Sequence, residues 1–128
     1  MNIYEKATEK SEALKIATEK AIERTQEKVK TKTFLVLSKL QEIGAVNRIT
    51  WQGWFTRIEI DLKEDTKSDY HKAMIRVMPD RIEYITGHYT CRSIGGCNEV
   101  KGDTILINNL SELENLIETD IINSAKFN

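Results

Sequence analysis

The chain begins with a run that cannot build a core of its own. From Met1 to Lys32 nearly every side chain is charged, Thr or Ala, and only Ile3, Tyr4, Leu14, Ile16, Ile22 and Val29 are large and apolar. Folding depends on burying enough apolar surface to offset chain entropy. This segment therefore stays a solvated extension or packs against something else. No Gly or Pro interrupts the chain between Ile3 and Ile43, and Gly44 stands where a helix commonly ends in the left-handed conformation. The expectation is one long helix. Residues 1–32 are its charged arm, and its second half is docked on a compact α+β domain over 33–128.

The docked half is marked by apolar density. Phe34, Leu35, Val36, Leu37, Leu40 and Ile43 cover most of a helix circumference. Thr31-Lys32-Thr33 is the place for a bend, and Thr33–Leu37 has a short strand as its alternative. Ala7, Leu14 and Ala21 recur every seven residues, as do Ile22, Val29, Val36 and Ile43, but the two sets differ by one position. That drift argues against a regular coiled coil.

After Gly44 the apolar period changes to two. Val46–Trp51 and Trp54–Leu62 read as strands joined by a Gln52-Gly53 turn, and Lys63–Tyr70 as a polar loop. Ala73–Met78 and Arg81–Thr86 form a hairpin around Pro79-Asp80. A second turn is expected at Gly95-Gly96 and a short strand at Thr104–Ile107. Ser111-x-x-Glu114 has the capping-box form and opens a helix whose stripe is Leu113, Leu116, Ile117 and Ile121. The fold class is thus α+β: a long N-terminal helix, an antiparallel meander and a C-terminal helix packed on the sheet.

With 19 basic and 20 acidic residues the net charge is −1, so no overall field draws in nucleic acid or anionic lipid. The longest apolar run, Phe34–Leu37, is far short of a membrane span. Two cysteines do not make a disulfide scaffold, and the N-terminal stretch lacks a basic region followed by an apolar one. The expected location is the cytoplasm, that of a host cell if the chain is phage-encoded.

Few residues suggest chemistry. His71, His88, Cys91 and Cys97 fall in one segment, and a symmetric Pro79-Asp80 hairpin would place His71 opposite His88. Two imidazoles and two thiolates form a tetrahedral zinc set, but this spacing matches no standard zinc signature. No metal or cofactor is assigned. Glu59, Asp61, Glu83 and the histidines have acid–base character, yet no nucleophile setting or phosphate-binding glycine loop accompanies them. No catalytic residue is assigned, and a non-enzyme is expected.

Binding features are easier to find. Lys20, Arg24, Lys28 and Lys32 repeat every four residues beside Glu19, Glu23 and Glu27. The plain reading is a solvated face whose opposite charges pair at i, i+3. The functional reading is a basic ridge that meets an acidic partner or a phosphate backbone. Alternation assigns Trp51 and Trp54 to the core, with Ile49 and Ile58 respectively. Phe55, Arg57, Met74 and Arg76 fall on the opposite face, together with Met78 and Ile85. Exposed aromatic, Met and Arg residues together are the composition of an interface.

A short α+β body, a charged helical extension and no evident active site together resemble small phage or mobile-element inhibitors of bacterial defence, such as anti-CRISPR proteins. A local likeness around Arg57-Ile58-Glu59-Ile60 and Tyr70-His71 adds to this. The resemblance implies a stoichiometric inhibitor or adaptor whose protein partner is a nuclease or ribonucleoprotein complex. The alternatives are a nucleic-acid-binding accessory protein that uses the basic ridge, and a small metal-dependent enzyme. The oligomeric state is open, a dimer included.

Overall fold

A computed structural model of the chain describes residues 2–52, 54–63, 71–93, 96–100 and 102–126, with 88–93 and 96–100 as backbone only. The order is α1 (Ile3–Ile43), β1 (Asn47–Trp51), β2 (Thr56–Asp61), β3 (Lys72–Val77), β4 (Ile82–Ser93), β5 (Gly96–Val100), β6 (Thr104–Ile107) and α2 (Glu112–Ala125). All strand pairs are antiparallel, in the order β1-β2-β3-β4-β5, with β6 beside the first part of β4. The fold is α+β: a long helix, an antiparallel sheet, and a second helix on that sheet.

Helix α1 is a single 41-residue element. Asn2 caps it by accepting the Glu5 amide at 3.0 Å, and Gly44 ends it at φ 74°, donating its amide to the last-turn carbonyls. The helix continues through Thr31–Thr33, so the alternative strand at Thr33–Leu37 does not form. The Thr33 hydroxyl bonds the Val29 carbonyl at 2.7 Å and lies 3.1 Å from Thr56 Oγ1, which satisfies a polar group inside the core. Val29, Thr33, Val36 and Leu40 are the buried stripe. Engagement with the body thus begins at Val29, slightly before the compositional boundary near residue 32. Phe34 and Leu35 face away from the sheet and stay exposed. Although α1 is long, no helix among the described residues is long and apolar enough to cross a membrane.

Alternation along the strands matches the expected period. Thr56, Ile58 and Ile60 of β2, and Ala73, Ile75 and Val77 of β3, are buried on the helix-covered face. Helix α1 lies over β2 and β3, and α2 over β4. The core joins Val36 and Leu40 of α1 to Ile58, Ile60, Ile75, Val77 and Tyr84, with Leu113 and Ile117 closing it from α2.

The β3–β4 hairpin closes at Pro79-Asp80, where the Met78 amide donates to the Arg81 carbonyl at 2.8 Å. Val77↔Ile82 through Met74↔Ile85 keep the symmetric register, but a shift between Met74 and Lys72 then places His88 opposite Lys72. The expected pairing of His71 with His88 therefore does not occur. At this shift Asp120 Oδ2 of α2 accepts the Gly87 amide at 2.9 Å, which takes that amide out of the ladder. Beside this irregularity the Thr86 amide donates to the Asp103 carbonyl, and the Asp103 amide to the Thr86 hydroxyl. A Cβ on Gly102 would sit 1.7 Å from the Thr86 carbonyl oxygen, so only glycine fits this approach.

The start of α2 also differs from expectation. Ser111 is already in the right-handed helical conformation and makes no side-chain cap. Asn109 acts instead, its side chain accepting the Ser111 amide at 3.0 Å and its carbonyl the Glu112 amide. The buried stripe is Leu113, Ile117, Asp120 and Ser124, and Ile121 points outward. The expected Lys63–Tyr70 loop lies outside the described residues apart from Lys63, as do residues 94–95 of the Gly95-Gly96 turn.

Candidate interaction surface

Helix α1 leaves the body at Val29. Ile22 stands seven residues earlier on the same stripe, two helical turns further out, and is 51 % exposed. With Ala21, Thr25 and Gln26 it forms one wall of a groove of ≈ 390 Å³ whose other wall is Trp54.

Trp54 belongs to the connection between β1 and β2. The Gln52 amide donates to the Phe55 carbonyl at 3.0 Å, so the chain turns there and β2 begins only at Thr56. Strand parity therefore does not govern Trp54. Its ring meets Phe55 edge-on, with centroids 4.7 Å apart, and the residue is 57 % exposed. Trp51 pairs with Thr56 and Ile49 with Ile58, on the helix-side face as alternation requires. But β1 is the edge strand, beyond the part of the sheet that α1 covers, and Trp51 is 52 % exposed. Both tryptophans assigned to the core are at the surface.

On the other side of Trp54 lies a second, shallow depression of ≈ 360 Å³, lined by Gln52, Trp54, Phe55, Arg57, Met74, Arg76 and Met78. The structure thus brings together Phe55, Arg57, Met74 and Arg76, the four sheet residues picked from the sequence. Arg57 and Arg76 face each other across β2 and β3. Like charges directly opposite are unfavourable. Each is relieved by a carboxylate outside the depression. Arg57 Nη2 bonds Glu59 Oε1 at 3.1 Å, and Arg76 Nη1 lies 3.6 Å from Glu83 Oε1, which Arg81 Nε also approaches at 3.7 Å. Asp61 is 3.6 Å from Lys72. The three carboxylates considered for acid–base work are therefore all engaged with cations. Arg57 Nε is buried without a hydrogen-bond partner.

The basic residues of the arm are arranged differently. Successive i, i+4 positions on a helix advance by about 40°, so the ridge spirals around α1. Lys20, Arg24 and Lys28 are exposed, and Lys20 falls opposite the sheet-facing stripe. Lys32 instead reaches the body, its Nζ donating to the Pro79 carbonyl at 2.7 Å. None of the four lines the sheet depression.

The histidine and cysteine set has a different outcome. His71 sits at φ 62° and is buried, its Nδ1 2.5 Å from Ser124 Oγ, and its carbonyl accepts the Leu62 amide at 2.8 Å. Burial, with Lys63 nearby, holds its pKa below the ordinary 6.5. Beside it Tyr84 OH donates to Asp120 Oδ2. This polar layer fastens α2 to β4. The side chains of His88, Cys91 and Cys97 lie outside the described residues. Among the described ones, no group of three or more His, Cys, Asp or Glu converges that could hold a metal.

Sequence reasoning missed Trp54 and the groove beneath Ile22. The available signal was the Gln52-Gly53 pair, which marks the preceding turn and makes alternation unsafe for the residue just after it. A comparison with known proteins adds no relative: no family model, curated protein or solved structure matches the chain.

Proposed function

We propose that this chain is a non-enzymatic protein-interaction module, a stoichiometric inhibitor or adaptor that acts in the cytoplasm on a bacterial nucleic-acid-handling defence complex. The observation that carries the reading is Trp54, which lines both the groove under the arm and the Arg57/Arg76 depression. Arm and open sheet face become one surface, centred on an exposed tryptophan and flanked by Phe, Met and Arg. Trp and Arg are prominent among the residues that carry most binding energy at protein interfaces, and Phe and Met are enriched there. Lys20, Arg24 and Lys28, on other sides of the arm, add charges that steer association.

The test is capture from a bacterial lysate with the tagged full chain, followed by nuclease treatment of the eluate. A partner held by the wild type after nuclease, and lost with Trp54→Ala at an unchanged melting temperature, supports the reading. Its inhibition or adaptor activity titrates to an end point set by partner concentration. Multiple turnover of a substrate, or retention that vanishes with nuclease, overturns it.

A further inference from the structure

We infer that the depression between Arg57 and Arg76 is a seat for one carboxylate of an acidic side chain on a partner polypeptide, with a large apolar neighbour of that residue lying against Trp54. This rests on the protein-binding reading and adds the chemistry of the occupant.

The first observation is the arginine pair itself. Paired positions on adjacent strands hold their Cβ atoms about 5 Å apart, and here both carry guanidinium groups. An anion between them converts a repulsive contact into two attractive ones. The second is the lining: two cations, one amide and four apolar or aromatic side chains, with no carboxylate among them. Glu59 engages Arg57, and Glu83 engages Arg76 and Arg81, yet both carboxylates lie outside the depression. A guanidinium has five N–H donors, so one carboxylate contact leaves most of them free to bond an incoming anion. A planar carboxylate suits the paired N–H donors of a guanidinium, and the apolar walls lower the local dielectric and strengthen the bond.

The same surroundings select a protein carboxylate over a nucleic-acid backbone. Single-stranded nucleic acid carries a charge at every nucleotide and tracks along a continuous positive groove. Across this face the arginines are bounded by Glu59 on one side and by Glu83 on the other. A chain of phosphates would have to cross those carboxylates. One acidic side chain would not.

The experiment uses the labelled full-length chain and an array of blocked peptides in a Gly/Ser background, carrying Glu, Gln, Trp or Leu singly and as adjacent pairs. Wild type should prefer Glu-Trp and Glu-Leu over Gln-Trp and Gln-Leu. Arg57→Gln and Arg76→Gln should each weaken that preference by at least about tenfold, the scale of an arginine hot spot. Arg48→Gln, on β1 and outside the depression, should leave it unchanged. Arg57→Lys, which keeps the charge and loses the fork, carries the test if Arg57→Gln does not fold. Equal binding to Glu and Gln peptides, with dependence on Trp54, removes the carboxylate seat and leaves the protein-binding reading standing. Absence of binding to any Glu-containing peptide above the Gly/Ser background also removes the seat. Displacement of the peptides by oligo-dT with a steep salt dependence removes both.

Discussion

Residues 29–43 and residues 3–28 belong to one uninterrupted helix with a continuous sheet-side stripe, yet only the first set lies against a sheet. Val29, Val36 and Leu40 are buried, whereas Ile22, Leu14 and Tyr4 on the arm are exposed. Position on the stripe does not separate them, because Ile22 stands one heptad before Val29. What separates them is the extent of the sheet. The body ends near Val29, and the arm continues for 26 residues, roughly 39 Å at the helical rise. Secondary structure can outrun the core that stabilises it, and the excess is then free to serve a partner.

The strongest way to break this comparison is to treat both halves alike. Leu40→Ala, at a fully buried position of the docked half, should cost about 2–5 kcal/mol in urea unfolding, and Leu14→Ala on the arm should leave the midpoint unchanged within error. Equal costs would mean that the arm packs against something in solution, and a dependence on protein concentration would identify that as a second copy.

The second test concerns how α2 is fastened. Asp120→Ala removes the acceptor that the Tyr84 hydroxyl and the Gly87 amide share inside the protein, and should cost about 1–3 kcal/mol. Tyr84→Phe removes only one donor and should cost about 1 kcal/mol. An Asp120→Ala protein as stable as wild type would show that this polar layer does not hold the helix.

A smaller effect is expected with pH. The folded chain holds His71 neutral below 6.5, whereas the unfolded chain takes up a proton near that value. The contribution is therefore complete above about pH 6.5 and is lost as pH falls from there towards the lower folded value. Melting temperatures measured between pH 7.5 and 5 (roughly the span over which an imidazole titrates) should fall on the acid side. His71→Asn, which tolerates the positive φ, should flatten that slope. An equal slope in both proteins would exclude His71 as its source.

The smallest expected effect sharpens the boundary. Deleting residues 1–28 removes no buried side chain among the described residues, so the melting midpoint of the body should barely move while partner capture is lost. Extending the deletion through Val36 removes Val29, Thr33 and Val36 from the core and should unfold it. A body already unfolded by the shorter deletion would make the arm part of the core.

Much of the architecture is legible in the sequence because it depends on short-range rules. The absence of Gly and Pro from Ile3 to Ile43 points to one helix, with a bend or strand near Thr33 left open, Gly44 ends it, and alternation over Thr56–Asp61 and Lys72–Val77 fixes which face is inward. Pro79-Asp80 sets the hairpin and its first four pairs. Arg57, Met74 and Arg76 are placed on one face by parity alone, and Phe55, just before β2, lines the same depression. What only the tertiary structure decided is where cover stops and which distant group reaches into a ladder. Trp51 has the inward parity of a core residue but sits on an edge strand past the helix. Trp54 falls in a turn where parity lapses. His71 and His88 are out of register across an irregularity at which Asp120, on a helix more than thirty residues later, captures the Gly87 amide. Periodicity reports the direction of a side chain relative to its own backbone. Burial depends on what the rest of the chain brings to that side, and no local pattern contains that information.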